Sequence, residues 1–211
     1  MKEVIQINER EIGPNRPVYI VAEMSANHGL DFDQAVRIIH AASEAGADAV
    51  KLQTYTPQTM TIDVHNDYFR IRGTIWDNRT LYDLYGEAFT PWEWQHQLQE
   101  IAHDQGLHFF STPFDTTAVD FLEGLEVPVY KVASFEIVDM PLLRYIGATG
   151  KPVIMSTGMA SLAEIDEAVG ELIKSGSESV VLLKCTSSYP APPEEMNLLN
   201  IPHLSEAFCV P

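Results

Sequence analysis

The stretch LQEIAHDQGLHFFSTPF, residues 98–114, sets the pattern from which the fold can be read. A helix-period segment runs up to Gly106, where a helix end calls for a left-handed residue. A short apolar run follows and gives way to hydroxyls and a proline. The same unit recurs at Gly46 with DAVKLQTY (48–55), Gly150 with KPVIMSTG (151–158) and Gly176 with ESVVLLKCTSS (178–188). Two further runs fit it, PVYIVAEMSANH (17–28) and VPVYKVASFE (127–136). Short Val- and Ile-rich runs alternating with helices predict parallel strands buried on both faces.

Helices are predicted over 33–45, 91–105, 115–124, 140–148, 161–175 and 196–208, with Pro202 marking a break or late start in the last. Ala35, Ile38, Ile39 and Ala42 share one face of the first. Thr90 is expected to cap the second, ahead of Pro91 and Glu93, and Ser161 with Glu164 to form a capping box on the fifth. Residues 56–90 read as irregular. Their Tyr68, Phe69, Trp76, Tyr82, Tyr85 and Phe89 need cover, so a lid or rim over the strand ends is expected.

Six β/α units account for residues 17–211 of a single, incomplete domain over residues 1–211. The predicted fold class is α/β, a TIM (β/α)8 barrel of which about six units are present, since a whole barrel takes about 250 residues. An open doubly wound sheet would carry a G-x-G-x-x-G turn after its first strand, and AEMSANHG (22–29) is not one.

A formal net charge of −17, with 13 Lys+Arg against 30 Asp+Glu, argues against nucleic acid or an anionic membrane as partner. It leaves room for a small anionic substrate, for which only the local field matters. Cys185 and Cys209 cannot build a disulfide framework and suit a reducing compartment. No apolar run reaches the ~20 residues of a membrane helix, and MKEVIQINER lacks a secretory core, so a cytoplasmic location is expected.

In a barrel the chemistry sits at the carboxyl ends of the strands. There the sequence puts Glu23, Asn27 and His28, then Lys51 and Gln53, then Ser111, Thr112 and Asp115. Later strands add Lys131, Ser134 and Glu136, Ser156 and Thr157, and finally Lys184, Thr186, Ser187, Ser188 and Tyr189. Lysines inside apolar strands are costly unless paired, and Lys51, Lys131 and Lys184 recur shortly before their strands end. One such lysine is as readily the partner of an internal carboxylate. Several, from separate strands with hydroxyls beside them, suit a phosphate or carboxylate: ammonium supplies charge, while hydroxyls and N–H groups supply direction. Glu23 reads either as the counter-ion of Lys51 or as a general acid or base. His28 reads as a surface or capping residue, His40, His96 and His103 as structural, and Cys185 as a small core residue.

VAEMSANH, GADAVKLQTYTPQTMTID, FFSTPFD, VYKVASFEI, IMSTGMA and KCTSSYPAPPEEMNL follow one another in the order and spacing of the N-acetylneuraminate (sialic-acid) synthase family. The resemblance spans essentially the whole chain. The insert YFRIRGTIWDNRTLYDLYGEAFTPWEWQ (68–95) and YTPQTMTI (55–62) resemble its pseudaminic acid branch.

The resemblance implies a transferase that condenses phosphoenolpyruvate with an amino-sugar aldehyde of the 2,4-diacetamido-2,4,6-trideoxy-altrose type. The product would be a nonulosonic acid, with phosphate released. Carbon 3 of phosphoenolpyruvate attacks the open-chain aldehyde, water adds at carbon 2, and the C–O bond to phosphate breaks. Lys51, Thr112, Lys131, Ser134 and Ser156 would hold phosphoenolpyruvate, and Glu23 would be the catalytic carboxylate. Glu136, Ser187 and Tyr189 would contact the sugar, with Ser187 standing where neuraminate synthases carry asparagine. Lys184 and Gln53 are low-rank candidates. A divalent metal, Mn2+ or Mg2+, would polarise the aldehyde. Its two histidines belong to later G-L-S-D-H-T and E-K-H stretches, expected beyond Pro211 and so absent from this chain. An antifreeze-like domain that lends an arginine across a homodimer is expected there too. On this reading the chain alone is inactive and poorly folded, and Cys209 stands where the family has glycine.

Two rivals stay open at this point. A Schiff-base aldolase would use a strand lysine, trapped by borohydride with pyruvate. A non-catalytic truncated product is favoured by the absence of the metal histidines.

Overall fold

In this computed structural model, which describes residues 4–73, 76–188 and 190–211, the chain divides into two units, residues 19–125 and residues 1–18 with 126–211. The first described element is an antiparallel hairpin of β1 (Ile5–Ile7) and β2 (Arg10–Ile12), which sequence reading did not anticipate.

In residues 19–125, β3 (Val21–Glu23), β4 (Ala49–Thr54) and β5 (His108–Pro113) lie parallel, with Glu23 opposite Lys51 and Gln53 opposite Thr112. Phe109 and Phe110 bury to 0% and 1% exposure although they point to opposite faces of β5. Each contributes roughly 1.5–3 kcal/mol of apolar burial. α1 (Phe32–Glu44) buries Ala35, Ile39 and Ala42, while Ile38 stays half-exposed.

Residues 56–90 contain two helices where no regular element was expected, α2 (Pro57–Met60) and α3 (Leu81–Ala88), and these pack on each other. Tyr85 of α3 meets Tyr55 edge-on at 5.7 Å, and Tyr55 meets Phe114 at 5.4 Å. Trp92 Nε1 donates to the Tyr55 carbonyl. Through these rings the insert sits against the carboxyl ends of β4 and β5. α4 (Trp92–Asp104) starts from Pro91 with no side-chain cap, so the expected cap at Thr90 is not made. That hydroxyl is engaged by His28 instead. α5 (Thr116–Gly124) follows β5.

In the other unit, β6 (Tyr130–Val132), β7 (Val153–Ser156) and β8 (Val180–Leu183) lie parallel, with Lys131 opposite Ile154 and Ser156 opposite Leu183. α6 (Met140–Gly147) and α7 (Leu162–Ser175) pack together. A Cβ on Gly147 would come 2.7 Å from Ser175 Cβ and 2.9 Å from the Leu172 carbonyl, so the close approach needs glycine. Ser161 and Glu164 form the expected capping box. α8 (Asn200–Phe208) starts late, with Pro202 in its first turn, where an amide donor is not needed. Beyond it Cys209 takes φ +51°, and Leu182 N–H donates to the Pro211 carbonyl at 3.0 Å.

Candidate functional site

Lys51 is 9% exposed, and its cost in an apolar strand is offset by two partners. Nζ lies 2.5 Å from Glu23 Oε2 and donates to Thr112 Oγ1 at 3.3 Å. Glu23 Oε1 accepts from Ser25 Oγ at 2.7 Å. The two-residue period puts Gln53 on the same face of β4 as Lys51. Thr54 and Ser111 face the other way: their hydroxyls lie 2.7 Å apart, and Thr54 donates to Gln95 Oε1 of α4 at 2.9 Å. Ser111 therefore drops out of the strand-end set. Asp115 is a helix cap, with Oδ1 accepting the Thr117 and Ala118 N–H groups at the start of α5.

His28, read as a surface or capping residue, is 1% exposed. Leu30 N–H donates to Nδ1 at 3.0 Å, so Nδ1 is bare and the proton sits on Nε2, 3.1 Å from Thr90 Oγ1. The ring stands edge-on to Trp94 at 5.8 Å. Burial holds its pKa below the ordinary histidine value, in keeping with a neutral ring. His28 thus fastens the loop leading away from Glu23. Within that loop Ser25, Gly29 and Leu30 all have positive φ, and Asn27 Nδ2 donates to the Met24 carbonyl.

Lys131 repeats the arrangement of Lys51 in its own unit. It is 8% exposed, and Nζ donates to Ser156 Oγ and to the Val132 carbonyl, both at 2.6 Å. Burial pushes the Glu136 carboxyl above the usual carboxylate range; its own backbone N–H and the Lys131 charge oppose this, and Asp139 adds to it. Glu136 Oε2 is buried with no hydrogen bond among the described residues. Gly158 N–H donates to Ser134 Oγ at 3.2 Å. A Cβ on Gly158 would lie 2.6 Å from Ser187 Oγ and 2.8 Å from Ser134 Oγ. Thr157 Oγ1 donates to the Leu183 carbonyl and so ties strand end to strand end.

Lys184 does not repeat the pattern, because β8 stops at Leu183. Its Nζ donates to Thr186 Oγ1 at 2.8 Å, and it lines a cavity of about 380 Å³ with Leu162, Cys185 and His203. Cys185, expected in the core, is half-buried there for the same reason. Tyr189 lies outside the described residues.

Among the described residues no three His, Cys, Asp or Glu side chains gather as a cation would require. The described residues do not by themselves fit the implied metal. No helix among the described residues is long and apolar enough to cross a membrane.

Buried lysines bound to hydroxyls stand at the carboxyl ends of parallel strands in an α/β protein. Six β/α units are present among the described residues, and likeness to a solved synthetase assigns them to the (β/α)8-barrel class. The chain belongs to the NeuB family, which it matches over residues 38–211. It is 46% identical over 195 residues to a pseudaminic acid synthase of Helicobacter pylori, covering 92% of this chain and 57% of that protein. It is 43% identical over 196 residues to a pseudaminic acid synthase of Campylobacter jejuni, covering 93% and 57%. The solved structure is an N-acetylneuraminic acid synthetase from Leptospira borgpetersenii in complex with citrate. It superposes with a TM-score of 0.85 at 32% identity, covering 97% of this chain and 66% of that one. The chain thus spans little more than half the length of the two pseudaminic acid synthases.

Proposed function

We propose that the protein serves in the condensation of phosphoenolpyruvate with an acetamido-sugar aldehyde to a nonulosonic acid, pseudaminic acid or a near relative. The observation that carries this reading is a repeated one. Lys51 and Lys131 are both more than nine-tenths buried, and each donates to a hydroxyl on the neighbouring strand, Thr112 and Ser156. An ammonium with a hydroxyl beside it complements the phosphate and carboxylate oxygens of phosphoenolpyruvate. The names of the two bacterial relatives support the sugar class.

In the reaction, carbon 3 of phosphoenolpyruvate forms the new bond to the aldehyde carbon, whose oxygen takes a proton. Water adds to carbon 2, and one of its protons passes by way of Glu23 to the aldehyde oxygen. Cleavage of the C–O bond releases phosphate, which carries off the other as the carbon 2 hydroxyl becomes the keto oxygen. The lysines neutralise charge that would otherwise oppose leaving-group departure. Glu136, whose Oε2 is buried with no hydrogen bond among the described residues, offers an acceptor to a sugar hydroxyl.

Isothermal calorimetry with phosphoenolpyruvate tests the reading. Lys51→Ala and Lys131→Ala should each weaken binding by about 1.5–3 kcal/mol, the scale of hydrogen bonds to charged groups. Unchanged affinity in both variants would sink it.

A further inference from the structure

We infer that Ser25 is a positioning residue for Glu23, its hydroxyl fixing the plane of the carboxylate that Lys51 holds by the other oxygen. The inference deepens the proposed reaction, in which Glu23 passes on a proton of water, and rests on it. Met24 N–H continues the strand ladder to the Lys51 carbonyl at 3.0 Å, and Asn27 N–H then closes a turn on the Met24 carbonyl at 3.1 Å. Ser25 is the first central residue of that turn and has φ +46°, while Ala26 after it has no positive φ. Turns with a positive φ at that position alone favour glycine there, and a side chain carries strain that glycine would not. Backbone conformation therefore does not account for the serine. Its hydroxyl does, donating to Glu23 Oε1 at 2.7 Å. The rest of the loop holds the strained residue in place: Asn27 Nδ2 donates to the Met24 carbonyl at 2.8 Å, and His28 is bonded to Thr90. Glu23 needs a second point of support. Its side chain is 42% exposed, so packing does not fix it, and the last torsion of a glutamate is broad. With Lys51 alone at Oε2 the carboxylate could swivel about that contact; Ser25 at Oε1 sets its plane. An ionised carboxylate has about four lone-pair sites, so two partners leave it able to accept a proton of water.

A double-mutant cycle of Glu23→Gln with Lys51→Met, read by urea unfolding of this chain, tests the inference when repeated in Ser25→Ala, Ser25→Gly and Ser25→Asn backgrounds. Alanine and glycine both remove the donor but differ in the turn. Ser25→Gly should unfold at a higher urea midpoint than Ser25→Ala, since glycine adopts a positive φ freely. Both should nevertheless lose at least half of the Glu23–Lys51 coupling measured in the parent. Ser25→Asn, which tolerates a positive φ and carries an amide donor, should recover part of it. If the serine served the turn alone, coupling would follow the midpoint and stay intact in Ser25→Gly. That result overturns the inference, as does a parent in which Glu23 and Lys51 do not couple. Calorimetry of the parent with phosphoenolpyruvate separates this inference from the proposed function. Binding together with coupling that Ser25→Ala and Ser25→Gly leave unaltered overturns the inference and leaves the function standing; absence of binding brings down both.

Discussion

Lys51 Nζ and Glu23 Oε2 stand 2.5 Å apart, the lysine side chain 11% exposed and the glutamate 42%. The pair is neither a surface bridge nor a sealed one. Its coupling should fall between the values for those two cases, about 1–3 kcal/mol. A double-mutant cycle with Glu23→Gln and Lys51→Met, followed by urea unfolding, measures it. Additive losses would mean that the two side chains do not hold each other.

His28 should make the chain acid-sensitive. Its folded pKa is depressed by burial, so the unfolded chain takes up a proton near pH 6.5 that the fold refuses. The stability it contributes is present above that pH and is lost as pH falls towards the folded value. His28→Gln keeps a donor for Thr90 and an acceptor for the Leu30 N–H but cannot titrate. Urea midpoints at pH 7.5 and 5.5 should fall less in His28→Gln than in the parent; equal falls would exclude His28 as the source.

Glu136 should act in the opposite sense. Its folded pKa is raised, so the fold is favoured at low pH and loses that advantage as pH rises through the folded value. Glu136→Gln removes the titration and keeps the shape. Relative to the parent, the variant should gain stability at pH 8 over pH 4 in thermal unfolding. A constant offset at both pH values would remove the buried carboxyl from the account.

Cys209 sits at φ +51° where α8 ends, a conformation that costs a side-chain-bearing residue energy and glycine none. Cys209→Gly should raise stability by up to about 1 kcal/mol, partly offset by the greater freedom of glycine in the unfolded chain. Lower stability in urea unfolding would show that the Sγ contact to the Glu206 carbonyl matters more than the backbone.

What could be read from sequence was what local chemistry dictates. Gly106 followed by LHFF marks a helix end and a strand wherever it occurs, and Gly46, Gly150 and Gly176 behave likewise, all with positive φ. Lys51 and Lys131 stood out because a buried ammonium is expensive in any setting. The misreadings depended on partners far along the chain. Nothing near His28 announces that Trp94 and Thr90 will enclose it, and once Thr90 bonds to that ring it no longer caps α4. Helix α3 went unread because only eight residues, with Gly86 among them, hold it, and Tyr55 stabilises it from outside. Ser111 reads as a site residue, but the pleat turns it towards Thr54, which is itself bonded to Gln95.

The hydroxyls of Thr54 and Ser111 carry a consequence for strand pairing. On β4 and β5 a one-residue slip would swap the faces, setting Lys51 against the helix layer and the Thr54 and Ser111 hydroxyls among the polar strand-end groups. Apolar side chains alone would resist such a slip weakly, since both faces of these strands are buried and Val, Leu and Phe suit either. Thr54, Ser111 and Gln95 find partners only in the observed alignment, and elsewhere each would be a buried polar group with none. A cluster turned away from the strand-end groups thereby fixes which side chains stand among them.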